Sequence, residues 1–287
     1  VQPSAKTTIQ SLALALHHPE EFSYGVLAGS NLTGLLLYGP PGTGKTMLVK
    51  AFARESGANV LEISAADVLS KYVGEGEKTI RAIFSLARKL QPCVVFIDEV
   101  DGLFGKRETC DKRHQRTEMN QFLREWDGLA SDGGNKGAVL VVATNRPFDL
   151  DEAVLRRLPQ RVLIDIPDVR GRASILRIHL REETLAPDVK IGEIASSTPF
   201  YTGSDLKNLV VAAALRSVRE RASAKSAAAK GKVVGLSKDT EESDSRRVIR
   251  MEHLLKAKNE IRPAVSNEGL VAIREFHAKF GNTAKLD

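Results

Sequence analysis

Short runs of apolar residues alternate with stretches of helical periodicity from Leu35 to about Ile166. The runs at 35–38, 59–63, 94–97, 139–143 and 162–166 have the length and composition of strands. Between them, Ile80, Ile83, Phe84, Ala87 and Leu90 fall on one face of a helix predicted over 77–90, and a second helix is predicted over 45–55. Strands alternating with helices predict an α/β fold in which helices sandwich a parallel sheet. Pro167 ends the alternation, and only helical patterns follow, at 170–181, 204–221, 251–261 and 268–280. The expected division is a large α/β domain over 1–167 and a small all-helical domain over 168–287. Within the latter, 222–245 is rich in Ala, Ser, Lys and Gly and then acidic, a composition that predicts a mobile insertion.

Composition narrows the field only slightly. The 287 residues are 42% hydrophobic and 27% charged, ordinary for a soluble protein with an ample core. No apolar stretch is long enough to cross a bilayer, and the run at 12–16 is too short for a signal peptide. The first residue is Val, which reads as a fragment whose targeting or anchoring segment lies elsewhere. A net charge of +6 spread along the chain reads as a solvated surface, so no nucleic-acid partner is expected. Cys93 and Cys110 lack metal-ligand spacing and suit a reducing compartment.

Chemistry enters directly after the first predicted strand, at Gly39-Pro40-Pro41-Gly42-Thr43-Gly44-Lys45-Thr46. Such a loop crowds backbone N–H groups around a polyphosphate; Lys45 reaches the β- and γ-phosphates and Thr46 offers its hydroxyl to Mg2+. Met47 carries the contact into the following helix. The run 94–97 ends in Asp98-Glu99. Magnesium keeps several waters, so Asp98 is expected to hold the ion through one, and Glu99 to polarise the water that attacks the γ-phosphate. Two other readings stay open, a pair of loop-edge carboxylates and a fold that binds nucleotide without turnover. The upstream loop weighs against the first and Glu99 against the second. Asn145, at the end of the 139–143 strand, could orient that water or merely serve turn geometry before Pro147. Arg156 and Arg157 could be solvated, or could stabilise γ-phosphate charge from a neighbouring subunit.

The order of these motifs resembles the AAA+ ATPases, P-loop NTPases with a small helical lid. The wording resembles their meiotic clade, the group of katanin, spastin and the mitochondrial outer-membrane protein extractases. It is carried by "LLLYGPPGTGKT" at 35–46, "KYVGEGEK" at 71–78, "PCVVFIDEVDGLF" at 92–104, "VVATNRPFDLDEAVLRRLPQR" at 141–161 and "YTGSDLKNLV" at 201–210. The resemblance implies a homo-hexameric ring with ATP between subunits, Asn145 as a sensor, and Arg156 and Arg157 as fingers reaching the neighbour's nucleotide. It also implies that Lys71, Tyr72 and Val73 line a central pore and grip polypeptide, tyrosine suiting sequence-tolerant contact. A second, basic pore loop is expected within 104–117. For the adenine it points to His179, Gly203 and Ser204, although His179 reads equally as a helix-surface histidine. The family's Asp-Ile-Gly-Gly adenine loop is not recognisable here.

The function these features imply is an ATP-driven translocase that threads polypeptide, leaning slightly toward membrane-protein extraction. Microtubule severing or complex disassembly is the alternative, as is a nucleotide-gated switch without threading. A cytosol-facing location is expected, at the mitochondrial outer membrane in the extractase reading, with membrane contact only through a segment outside this chain.

Overall fold

A computed structural model describes residues 3–18, 20–22, 24–25, 34–64, 75–104, 112–131, 137–231 and 247–281. Five strands, β1 (Gly34–Tyr38), β2 (Asn59–Ile63), β3 (Cys93–Ile97), β4 (Ala138–Thr144) and β5 (Gln160–Leu163), form one sheet in the order β2-β3-β4-β1-β5. Every pairing is parallel, with Leu36 opposite Val142, Val95 opposite Leu140 and Leu37 opposite Val162. The order puts the C-terminal ends of β3, β4 and β1 side by side. In open parallel sheets ligands bind at that edge.

Alternation along the strands feeds two cores. Leu36, Tyr38, Val95, Ile97, Leu140 and Val142 point to one face, where α3 (Glu75–Lys89), α5 (Lys112–Ser131) and α6 (Glu152–Arg157) pack. Leu35, Leu37, Phe96 and Val141 point to the other, covered by α1 (Pro3–His17) and α2 (Lys45–Glu55). Because both faces are covered, β1, β3 and β4 are buried throughout, as the near-continuous apolar runs require. A four-residue helix, α4 (Asp101–Phe104), follows β3, and a 3-10 turn, Pro147–Asp149, follows β4. Asp151 caps α6, its carboxylate accepting from the Ala153 N–H at 2.7 Å.

The chain divides into two compact units, and the division departs from the expected one. The first unit includes Asn267–Asp287, which the helical pattern alone had grouped with the small domain. The cause is the apolar face of α11 (Asn267–Phe280), where Ile273 and Phe276 belong to the sheet core. Periodicity shows that a helix has an apolar face but not which core receives it.

The second unit comprises Pro41–Thr43 and Ile166–Ser266. Its core is built by α7 (Val169–His179), α8 (Ile191–Ser197), α9 (Gly203–Gly231) and α10 (Met251–Glu260), around Leu176, Ile194, Leu206, Leu209 and Leu254. Two strands the sequence did not suggest, β6 (Thr184–Leu185) and β7 (Val248–Ile249), pair in parallel there. The expected insertion at 222–245 is helical to Gly231, because an Ala-rich stretch prolongs α9 at little cost; the rest lies outside the described residues. The basic loop expected within 104–117 is helical from Lys112, where α5 begins.

Candidate functional site

The phosphate loop leaves β1 at Gly39, whose φ is 150°. A Cβ at Gly39 would stand 2.1 Å from the Ile164 carbonyl oxygen, so only glycine fits. Gly42, at φ 75°, is confined by its own neighbours within the second unit. A Cβ there would meet Thr202 Oγ1 at 2.8 Å, and its carbonyl accepts from the Ser204 N–H at 3.1 Å.

Lys45 opens α2 and is only 6% exposed. Its ammonium donates to the carbonyls of Gly39 at 3.0 Å and Pro40 at 2.9 Å, and to Asn145 Oδ1 at 2.6 Å. Three donors meet three acceptors, so a nucleotide phosphate must displace at least one of them. Burial pushes the Lys45 pKa down to about 8, opposed by the Asp98 and Asp101 carboxylates. Thr46, next in α2, donates its hydroxyl to Asp98 Oδ2 at 2.6 Å. Lys45 and Asn145 thus meet across 100 residues of chain, a pairing the sequence did not suggest, and Thr46 and Asp98 meet across 52.

Glu99 follows Asp98 with φ at 51°, a left-handed conformation unusual for a residue with a Cβ. Its N–H donates to Asp98 Oδ1 at 2.9 Å and its carbonyl accepts from Gly102 N–H at 2.9 Å. The side chain is exposed at the edge of the site. Backbone strain of this sort is held in place by the surrounding bonds.

Arg156 and Arg157 end α6 in different circumstances. Arg156 is exposed, its closest ionic partner Glu152 lying 3.9 Å away. Arg157 is bidentate to Asp127 of α5 at 2.8 and 2.9 Å, and donates to the Ala153 carbonyl at 3.2 Å. The adjacent pair therefore presents one available guanidinium and one engaged within its own subunit. Among the described residues, neither guanidinium hydrogen-bonds the phosphate loop. Met47 is 76% exposed.

Gly203 and Ser204 begin α9 beside Gly42, as just described. His179 ends α7, which packs on α9. Burial and the nearby Lys207 ammonium push its pKa below that of an ordinary histidine, so it is neutral at physiological pH. Lys71, Tyr72 and Val73 lie outside the described residues, as do Lys106 and Arg107 of the expected second pore loop.

Sequence reasoning missed three participants. Asp101 accepts from Thr144 Oγ1 at 2.7 Å, and that oxygen accepts from the Arg146 N–H at 2.9 Å, locking the end of β4 that carries Asn145. The spacing Asp98-x-x-Asp101 was the available signal. Asp127 and His277 carried none, because their partners, Arg157 and Tyr38, lie 30 and 239 residues away in the chain.

Residues 35–166 match the family model described as the ATPase family associated with various cellular activities (AAA), and 188–229 match an AAA+ lid domain. Spastin of Drosophila grimshawi is 43% identical over 220 residues, 76% of this chain and 28% of that protein. Spastin of Rattus norvegicus is 40% identical over 284 residues, 98% of this chain and 46% of that protein. The chain thus spans less than half of either relative. Among solved structures, the FIGL-1 AAA domain in complex with ADP is similar over 99% of this chain and 89% of that one, with a TM-score of 0.80 and 31% identity.

Proposed function

We propose, because this chain belongs to the meiotic clade of AAA+ ATPases and therefore hydrolyses ATP, that it couples hydrolysis to pulling on polypeptide as a ring of identical subunits. The observation that carries the nucleotide chemistry is the meeting of Lys45 with Asn145 beside the meeting of Thr46 with Asp98. The donor set fits magnesium, since one hydroxyl and one carboxylate leave the remaining positions to water and phosphate oxygens. Bound there, Mg2+ would neutralise charge on the β- and γ-phosphates. Lys45 exchanges acceptors of its own loop for phosphate oxygens. Glu99 takes a proton from the water that attacks the γ-phosphorus, and Asn145, held by the locked end of β4, orients that water. As the attacking oxygen bonds to phosphorus, the bond to the leaving ADP oxygen breaks. Arg156, exposed and in one long ion pair with Glu152, is the guanidinium suited to a neighbour's γ-phosphate.

The relatives bear on the choice of substrate. Spastins match along most of the chain, which favours the severing or disassembling reading over membrane-protein extraction. Polymerised tubulin should therefore raise ATP turnover at least about twofold, and Tyr72→Ala should cancel the rise while leaving the basal rate. Turnover indifferent to tubulin but stimulated by a solubilised membrane protein would restore the extraction reading.

A further inference from the structure

The C-terminal helix does more than cover the sheet. Tyr38, the last residue of β1, is fully buried, and its hydroxyl meets Nδ1 of His277 in α11 across 2.5 Å. The Phe276 ring stands edge-on to Tyr38 with centroids 5.2 Å apart. Burial pushes the Tyr38 phenol well above its ordinary pKa, against the Arg161 guanidinium. Burial also pushes the His277 imidazole down, against the Asp165 carboxylate. The phenol therefore keeps its proton, and in the imidazole tautomer that leaves Nδ1 unprotonated it donates to His277. The next residue is Gly39, whose carbonyl holds Lys45. One side-chain hydrogen bond thus separates α11 from the residue before Gly39, and Tyr38, Gly39, Lys45 and His277 all belong to the first unit.

That bond constrains the loop because neither neighbour can yield. A buried phenol left without an acceptor carries a desolvation penalty, and Tyr38 would move to relieve it. The Tyr38 carbonyl is held by the Ile164 N–H at 2.8 Å, and the Ile164 carbonyl oxygen lies where a Gly39 side chain would be. Movement of Tyr38 is therefore passed along the chain to Gly39 rather than absorbed by space around it. We propose that His277 is a positioning residue for the phosphate loop, holding Tyr38 so that Gly39 and Lys45 keep the geometry that receives a triphosphate. By reciprocity, nucleotide in the loop steadies α11, so the C-terminal helix reports whether the site is filled. The inference rests on the ATP-binding reading of the loop.

The test uses the whole chain well below its unfolding temperature, with a fluorescent ATP analogue to measure affinity and hydrogen exchange to follow residues 270–280. His277→Phe and Tyr38→Phe should each weaken nucleotide binding about fivefold, and His277→Asn, which restores an acceptor, should return it to within about twofold. Nucleotide should slow exchange in α11 of the parent and not in Tyr38→Phe. A merely structural bond predicts lower thermal stability with unchanged affinity and unchanged exchange response, and that result would overturn the proposal. Tyr38→Phe keeps the shape of the core, so it carries the test if His277→Phe does not fold. A parent chain that binds no ATP would sink the reading of the loop itself.

Discussion

Lys45 makes nucleotide affinity sensitive to alkaline pH. Its pKa in the free site is about 8, and phosphate oxygens favour the charged form. Below pH 8 the ammonium is already protonated, and affinity should be flat. Above it, binding must take up a proton, so ATP affinity should fall by up to about tenfold per pH unit until the bound-state pKa is passed. Titration calorimetry between pH 7 and 9.5 in buffers of different ionisation enthalpy would show both the loss and the proton uptake. The two arginines should also part company. Arg157→Ala loses a bidentate partner and a carbonyl contact and should cost about 1 kcal/mol in denaturant unfolding, whereas Arg156→Ala should stay within about 0.5 kcal/mol. Arg156→Ala should instead lower turnover at unchanged nucleotide affinity. Lys45, Thr46, Asp98 and Asn145 were legible because a glycine-rich loop and strand-end polar residues are conspicuous in an apolar chain. Which of two neighbouring arginines was available was not legible, since that depends on Asp127 across a helix interface.

Among elements, α6 is the one most exposed to a small change. It has six residues, too few for intrinsic stability, and depends on the Asp151 cap and on burial of Val154 and Leu155. Asp151→Ala should destabilise by about 1 kcal/mol and, by fraying the helix that ends in Arg156, reduce turnover more than it reduces ATP binding. Steady-state kinetics with a separate binding assay would separate the two effects. The strands of the sheet were legible as elements because burial on both faces leaves continuous apolar runs. Two helical segments were misread for opposite reasons. The start of α5 is basic and looked like a loop, yet its backbone is helical from Lys112; residues 222–231 looked like a mobile insertion, yet alanine favours the helix they prolong.

For the whole molecule, the available Arg156 has a consequence for concentration dependence. If it completes a neighbour's site, specific ATPase activity should rise with protein concentration, steeply across the range where rings form. Equal mixing of Lys45→Ala and Arg156→Ala subunits should recover activity that neither has alone, since some interfaces would join an intact loop to an intact finger. Activity per mole that stays constant down to monomer, monitored by light scattering, would count against a shared site. The assignment of α11 to the first unit was beyond the reach of local pattern, because it depends on contacts between Tyr38 and residues more than two hundred positions away.

Glu99 sits in a backbone conformation that glycine would adopt freely, so Glu99→Gly should relieve strain of about 1 kcal/mol while removing the carboxylate proposed as proton acceptor. A lineage screened only for heat tolerance would drift toward such a replacement and become sturdier and inert.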